Sequence, residues 1–278
     1  MSIQFGVCQW SLPGNGLYAV RMASELGLDG VQLGLGYHRT GFYMEQKRIQ
    51  QAFLEDAAKY GIQFPSICLV SLEEHSFIHN EGSEEYQIAF ETLTTGVETA
   101  RAMNIGLVMI PSFFRNDIKT KQDVEMTAKA LRYVCEIAGE HGISVAHEST
   151  LDAKTQLELI DMVGMPNISV FYDSQNYRFF KNLNQQEILK DIYPRMCRQL
   201  HVKDGSNEKG LEGQVLLGRG DSGFYDTIEI LKENKYSGWM ILENYYWKLP
   251  LRIENADQYA ILQKDMQTLK SCLPEYAR

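Results

Sequence analysis

The chain has 278 residues, of which 44% are hydrophobic and 23% are charged, and it carries a net charge of −9. This composition is typical of a folded globular protein rather than a disordered or collagen-like chain. The acidic balance, with no Lys/Arg run longer than a pair, argues against a nucleic-acid partner. Because no stretch approaches the roughly 20 apolar residues of a membrane span and MSIQFGVCQW does not resemble a signal peptide, we expect no membrane partner and a cytoplasmic location.

Cysteine usage agrees with that location. The five cysteines are widely spaced and form no CxxC pair. In a reducing compartment such residues act mostly as small buried hydrophobes. We therefore expect free thiols.

A unit of helix, glycine and short apolar run repeats along the chain. The helical pattern at 19–26 is followed by Gly27 and then by GVQLGL; Gly61 stands before IQFPSICLV, and Gly142 before ISVAHE. Glycine tolerates the left-handed conformation that ends a helix and turns the chain into the next strand. The pattern thus predicts alternating helices and strands.

Eight apolar runs are strand candidates: IQFGVCQ, GVQLGL, IQFPSICLV, IGLVMIPS, ISVAHE, ISVFYD, CRQLHVKD and GWMILE. Helical patterns separate most of them, notably at 84–102, 123–141 and 225–234. This alternation favours an α/β fold, either a (β/α)8 TIM barrel or a large open sheet. No strand leads into a complete GxGxxG loop, and polar residues end several separate strands, so we predict the barrel, as a single domain over 1–278.

The fifth to eighth strands each end in a residue that can bind a metal. These residues are Glu148, Asp173, His201 and Glu243. In a parallel barrel the carboxyl ends of the strands converge on one rim, where active sites are built. Three carboxylates and one imidazole suit Mn²⁺, Mg²⁺, Co²⁺ or Zn²⁺. Like charges crowded on one rim repel unless something neutralises them, which favours a metal over four unrelated salt bridges or helix caps.

The same residues carry a family resemblance. The order Glu, Asp, His, Glu, with LHVKD at 200–204, GRGD at 218–221 and GWMILE at 238–243, resembles the xylose isomerase-like barrel superfamily over essentially the whole chain. The resemblance implies one divalent metal ion held by Glu148, Asp173, His201 and Glu243. It also implies that Glu148 and Glu243 act as the acid/base pair of catalysis.

Two positions depart from the sugar epimerases of that superfamily. Asn176 stands where they carry a histidine, and Asn207 where they carry a substrate-binding arginine. A ketose 3-epimerase identity is therefore disfavoured. DNA repair, the activity of the superfamily's three-metal endonuclease, is disfavoured by the acidic charge and by the small number of histidines.

Three further side chains are predicted to bind substrate: Lys203, Asn176 and Gln32. Lys203 shares the strand face of His201 and reaches either a substrate oxygen or phosphate, or a surface salt bridge. Gln32 either hydrogen-bonds the substrate or is a satisfied core amide. Segment 73–80, with His75 and His79, is predicted to form a rim loop, and GRGD to form either a phosphate site or a tight turn.

The leading functional hypothesis is a metal-dependent isomerase or epimerase of a small keto-sugar, polyol or sugar phosphate, with carboxylates moving protons and a metal stabilising an enediolate. The alternatives are an inosose-type dehydratase with the same metal site, and a non-catalytic metal- or sugar-binding barrel. The helical pattern at 254–272 either closes the barrel or forms the contact of a homo-oligomer.

Overall fold

The computed structural model describes residues 3–14 and 16–273. Eight parallel strands close into a barrel in sequence order, and β8 pairs with β1. The predicted (β/α)8 barrel is confirmed. Its strands are β1 (Ile3–Cys8), β2 (Gly30–Gly34), β3 (Ile67–Cys68), β4 (Leu107–Pro111), β5 (Ser144–Glu148), β6 (Ile168–Asp173), β7 (Met196–Val202) and β8 (Gly238–Leu242).

Helices cover the outside of the barrel between successive strands. Gly61, Gly27 and Gly142 adopt positive φ angles of 69°, 69° and 68°, as the repeat predicted. No helix in the described residues is long and apolar enough to cross a membrane. The helices are α1 (Leu17–Glu25), α2 (Lys47–Tyr60), α3 (Glu84–Ala102), α4 (Lys121–Gly139), α5 (Ala153–Val163), α6 (Asn176–Lys181), α7 (Gln185–Ile192), α8 (Phe224–Glu233) and α9 (Gln258–Cys272).

Strand side chains alternate between two apolar layers, because successive residues of a strand point to opposite faces. One layer packs under the helices and contains most of the core. The other is enclosed by the strands. Its buried members are Cys8, Cys68, Leu107, Met109, Ala146, Phe171, Cys197, Trp239 and Ile241.

The third strand is much shorter than its sequence suggested. The apolar run at 62–70 predicted one strand, but only Ile67–Cys68 is regular, and Gln63 makes an isolated bridge to Gly30. Pro65 lies between these two pairings and has no N–H to donate to a ladder. The chain then turns at once into a 3-10 turn, Val70–Glu73.

The C-terminal helix packs on the barrel. Its buried apolar residues all belong to the layer that packs under the helices: Ile261, Leu262, Met266 and Leu269. A hydrogen bond from Tyr259 N to the Asp257 side chain caps its start. This placement agrees with the first alternative, a helix that closes the barrel, while oligomerisation stays a prediction.

Gly30 allows the close approach of β2 to its neighbours. A Cβ atom here would lie 2.7 Å from the Gln63 carbonyl oxygen and 2.7 Å from the Trp239 ring. We expect Gly30→Ala to lower the free energy of unfolding by about 1–3 kcal/mol, because the backbone carbonyl and the packed indole ring cannot move away without losing contacts of their own. Urea unfolding followed by circular dichroism measures this. Gly106→Ala, where a Cβ would meet no atom within 4 Å, is the matched control, and equal losses for both variants would contradict the packing account.

Candidate metal centre and catalytic cavity

A cavity of about 630 Å³ opens at the carboxyl ends of the strands. Many aromatic side chains line it, including Tyr245 and Trp247, whereas Tyr246 between them is buried and donates its hydroxyl to Asp265. The cavity therefore lies on the face where the sequence predicted a site. Its aromatic and charged lining residues are Trp10, Tyr37, Tyr43, Phe113, Phe114, Phe180, Tyr245, Trp247, Glu73, Glu148, Lys203, Glu212, Glu243 and Lys248.

The structure brings the four predicted metal ligands together beneath this cavity. One ligand atom from each of Glu148, Asp173, His201 and Glu243 lies within 4.8 Å of the others. Strand alternation explains the convergence, because each carboxylate lies two residues beyond a side chain of the enclosed layer. All four are buried, and Asp173 and His201 have no exposed surface.

The His201 ring lies at the centre of the group. Its Nδ1 atom is 3.2 Å from an oxygen of Glu148, 3.2 Å from an oxygen of Glu243 and 3.9 Å from Asp173 Oδ2. Burial lowers the pKa of the imidazole, but Cys8, Glu243 and Glu148 outweigh burial and raise that pKa well above its usual value. Nδ1 thus faces a concentration of negative charge.

The two carboxylate oxygens of Asp173 differ, because one is held by hydrogen bonds and the other accepts none from the described part of the chain. Its Oδ1 accepts hydrogen bonds from the backbone N–H groups of Gln175 and Asn176, at 2.7 and 2.6 Å. Its Oδ2 is buried and has no hydrogen-bond partner among the described residues. Burial raises the pKa of Asp173 to about 8, although Lys203 opposes the shift.

The two glutamates have different surroundings. Glu243 accepts from Trp10 Nε1 at 3.1 Å and from Lys203 Nζ at 2.9 Å. Burial would raise the pKa of Glu243, but His201 and Lys203 hold it well below its ordinary value. Glu148 accepts at Oε1 from Asn176 Nδ2, at 3.3 Å, and within residues 3–14 and 16–273 no group donates to its Oε2.

Lys203 is buried rather than exposed. Only 1% of its surface is accessible, so the surface salt bridge considered for it is wrong. Its Nζ atom lies 2.9 Å from Glu243, 3.0 Å from Glu212 and 3.5 Å from Asp173. Lys203 therefore offsets part of the carboxylate charge and still reaches the cavity wall.

Asn176 begins α6 and lines the cavity. Its Oδ1 atom is buried and has no donor among the described residues. The side chain is thus held by Glu148 at one end and has an open acceptor at the other. Substrate contact by Asn176 stays a prediction.

Gln32 lies below the site instead of in its wall. It is fully buried, is not among the cavity-lining residues, and its Oε1 atom is 2.6 Å from His201 Nε2. Its amide group also donates to Ser66 Oγ at 3.0 Å. The position matches the core amide of the two alternatives, and the ring of His201 stands between Gln32 and the carboxylates.

Glu73 is a cavity residue that the sequence interpretation missed. It ends the 3-10 turn after β3 and lines the cavity, and its carboxylate makes no hydrogen bond or ion pair within the described ranges. Burial, followed by the charges of Glu243 and Glu148, raises the pKa of Glu73 to about 7. The available signal was a carboxylate soon after a strand. The sequence interpretation considered the nearby histidines His75 and His79 instead, but His75 packs on His38.

The GRGD segment is a turn whose amides are already occupied. Asp204 accepts hydrogen bonds at Oδ2 from the N–H groups of Gly218 and Gly220, at 2.8 and 3.0 Å. Its Oδ1 accepts from the Ser222 hydroxyl. An internal carboxylate fills the place that a phosphate would need, so the tight-turn alternative describes this segment.

The quartet fits a divalent cation by its own geometry and chemistry. Three carboxylates and a ring nitrogen converge in a buried space, where Asp173 Oδ2 has no hydrogen-bond partner among the described residues. Burying such charges is costly unless they are paired or bind metal. Oxygen and imidazole donors are suitable ligands for Mn²⁺, Mg²⁺, Co²⁺ or Zn²⁺.

A second set, Cys8, His201 and Glu243, also has the spacing of metal ligands. Burial raises the pKa of the Cys8 thiol to about 12. Because metals bind the thiolate, a thiol held protonated is a poor ligand. The thiol donates instead to Gln32 Oε1, which leaves the carboxylate set as the better site.

Comparison with known proteins agrees with this fold. The family model described as xylose isomerase-like TIM barrel matches residues 20–272. The chain is 26% identical, over 88% of its own length and 88% of the relative's, to 2-epi-5-epi-valiolone 7-phosphate 2-epimerase of Actinoplanes sp.. It is 24% identical to inosose dehydratase 1 of Bacillus cereus over 50% of this chain and 52% of that one. The solved structure of the IOLI protein with a binding zinc atom superposes with a TM-score of 0.75 at 16% identity, covering 98% of this chain and 99% of the other.

The raised pKa of Glu73 predicts a pH-dependent stability in the metal-free protein. Its ordinary pKa is 4.5 and its folded value is about 7, so the folded state holds the proton more tightly. The protonated carboxyl therefore contributes to the free energy of unfolding below about pH 4.5, and this contribution is lost as the pH rises through 7. Glu73→Gln cannot ionise. As the pH rises over this range, we expect its free energy of unfolding to increase relative to that of wild type by on the order of 2–3 kcal/mol.

Urea unfolding at several pH values measures this difference. Glu74→Gln is the control, because Glu74 pairs with Arg39 at the surface and such pairs contribute less than about 1 kcal/mol. Parallel pH profiles for wild type and Glu73→Gln would contradict the raised pKa of this partly buried carboxyl.

Proposed function

Because the chain belongs to the xylose isomerase-like TIM barrel family, we propose that it is a divalent-metal-dependent isomerase or epimerase of a small keto-sugar, polyol or sugar phosphate. The observation that carries the proposal is the buried quartet of Glu148, Asp173, His201 and Glu243 beneath a cavity of about 630 Å³. That volume is within the usual range for small-molecule sites. The named activities of the two relatives, an epimerase and a dehydratase, support a carbohydrate substrate.

The same four residues would hold the metal ion. When bound, a divalent ion acts as a Lewis acid towards substrate oxygens and reduces the cost of negative charge that develops on them. The zinc atom of the IOLI protein makes Zn²⁺ the first ion to test, and Mn²⁺, Mg²⁺ and Co²⁺ suit the same donors.

Glu148 and Glu243 are proposed to move the protons. They reach the cavity from β5 and from the end of β8, with β6 and β7 between them. In an epimerisation one carboxylate removes the proton next to the carbonyl and the other returns one to the opposite face. Trp10 and Lys203 hold Glu243 in place, while Glu148 Oε2 has no protein donor in the described part of the chain and so is free to face the substrate.

Two groups of the cavity wall are proposed to bind the substrate, one at a hydroxyl and one at a phosphate. Asn176 Oδ1 lacks a donor among the described residues, so it can accept a hydrogen bond from a hydroxyl. Lys248 Nζ lies 3.6 Å from the centre of the Tyr245 ring and forms no ion pair within the described ranges. It is the cation that a substrate phosphate would meet, since Lys203 is already paired with carboxylates.

A dehydratase of an inosose-like substrate is the second proposal, and Glu73 favours it. Expelling a hydroxyl next to the deprotonated carbon requires a proton donor at the leaving oxygen. Glu73 lines the cavity with its pKa raised by burial to about 7. In the metal-free protein this carboxyl is thus partly protonated at neutral pH, and it is proposed to serve as that donor.

Metal content tests the proposed site. Elemental analysis of the wild-type protein, supplied in turn with Zn²⁺, Mn²⁺, Mg²⁺ and Co²⁺, is expected to show about one ion per chain. His201→Ala removes the central donor and should lose the ion. His75→Ala is the control, because His75 is a rim histidine outside the quartet. A wild-type protein that binds none of the four ions would refute the proposed site.

Solvent exchange separates the two reactions. Keto-sugars, their phosphates and inososes are incubated with the metal-loaded enzyme in deuterated water. Deuterium incorporation without loss of mass indicates isomerisation or epimerisation, and loss of water indicates dehydration. Glu148→Gln and Glu243→Gln should each slow exchange by roughly 10²–10⁴-fold, because each removes a proton-transfer group.

The control for these variants is metal affinity, since a lost ion would slow exchange for another reason. Retained metal with exchange as fast as in wild type would show that these carboxylates do not transfer the proton. Metal binding without turnover of any compound in the panel would favour a binding barrel.

A further inference from the structure

We propose that Gln32, Ser66 and Gln199 form a directed hydrogen-bond chain that fixes which ring nitrogen of His201 faces the carboxylates. Gln32 is then a positioning residue for the metal centre, not a substrate ligand. The inference rests on the proposed metal site. It identifies the residues of the barrel interior that orient His201, the one nitrogen ligand of the quartet.

The hydrogen bonds run from His201 on β7 to Gln32 on β2, then through Ser66 back to Gln199 on β7, and end at Pro65. His201 Nε2 lies 2.6 Å from Gln32 Oε1, and Gln32 Nε2 lies 3.0 Å from Ser66 Oγ. Ser66 Oγ lies 2.6 Å from Gln199 Oε1. Gln199 Nε2 lies 2.8 Å from the carbonyl oxygen of Pro65.

The last contact sets the direction of all the others. The Pro65 carbonyl can only accept, so the amide N–H₂ of Gln199 must donate to it and Gln199 Oε1 must accept. Ser66 has one hydroxyl proton, which it gives to Gln199. Ser66 therefore accepts from the Gln32 amide, and Gln32 is left with its oxygen towards His201.

That oxygen requires a proton on His201 Nε2. A second donor, the Cys8 thiol, points at the same oxygen from 3.2 Å, which again identifies it as an acceptor. With Nε2 protonated, the neutral ring presents its lone pair at Nδ1. Nδ1 is the atom 3.2 Å from Glu148 and 3.2 Å from Glu243.

A lone pair aimed at two carboxylates is repulsive unless a cation or a proton lies between them. The hydrogen-bond chain thus prepares the ring for a cation before any ion binds. The other ring nitrogen of a metal-binding histidine commonly donates to such a partner, and loss of the partner typically weakens metal binding 10–100-fold.

The burial of these side chains supports a role in positioning His201 and not in contacting substrate. Gln32, Ser66 and His201 have no exposed surface, and Gln199 has 7%. None of Gln32, Ser66 and Gln199 is a lining residue of the cavity. A substitution in this hydrogen-bond chain therefore leaves the lining of the cavity intact and acts through His201.

The test measures Zn²⁺ affinity by competition with a chelator. Gln32→Met keeps the size of the side chain but removes the acceptor, and is expected to weaken Zn²⁺ binding by about 10–100-fold. Gln32→Glu keeps an acceptor at His201 and should restore most of the affinity. Gln156→Met is the matched control, because Gln156 is also a fully buried amide, 3.1 Å from a histidine, His147, that is not part of the quartet.

Nitrogen NMR of the histidine rings gives a second readout. In the Zn²⁺-loaded wild type we expect His201 to bind the metal through Nδ1 and to carry a slowly exchanging proton on Nε2. Ser66→Ala, which breaks the chain one step away, covers the case in which Gln32→Met does not fold. Relative to wild type, it should speed exchange of that proton and weaken Zn²⁺ binding, by less than the 10–100-fold expected when the partner of the histidine itself is lost.

Unchanged Zn²⁺ affinity in Gln32→Met, or coordination of the ion through Nε2, would overturn the proposal. If wild type binds no divalent ion, the proposed function fails separately. The metal-free spectrum then decides the present inference, which requires a slowly exchanging proton on His201 Nε2 in wild type. A rapidly exchanging or absent Nε2 proton in that spectrum would refute the directed chain.

Discussion

The site depends on one electrostatic constraint, the burial of three carboxylates around one imidazole. Glu148, Asp173 and Glu243 share a space in which their ligand atoms and that of His201 lie within 4.8 Å of one another. Repulsion among buried like charges has to be balanced by cations or protons. Lys203 supplies one buried positive charge, and a divalent ion is the simplest source of the remainder.

The barrel makes this arrangement possible because its parallel strands all end on one rim and their side chains alternate. The same alternation that puts Glu148, Asp173 and Glu243 inside sends His147 to the outer side, where it contacts Ser112 and Gln156. Burial holds the pKa of His147 near 4. Two adjacent residues of β5 thus have opposite roles, one structural and one at the site.

The predictable features were those encoded locally along the chain. Eight apolar runs indicated eight strands, and the residue that ends a strand could be assigned to a rim from its position alone. Contacts across the barrel have no such signal, which is why the attachment of Gln32 to His201 and the burial of Lys203 were not foreseen. Glu73 was missed because its place depends on how the chain turns after β3, a strand that Pro65 shortens to two residues.

Crystallographic anomalous scattering from Zn²⁺-soaked protein tests the central claim most directly, because it locates the ion instead of counting it. We expect one strong peak within about 2.0–2.2 Å of a carboxylate oxygen of Glu148, Asp173 and Glu243 and of Nδ1 of His201. This expectation would be contradicted by the absence of a peak in the quartet at saturating Zn²⁺, or by an ion bound through Cys8 in place of Glu148 and Asp173.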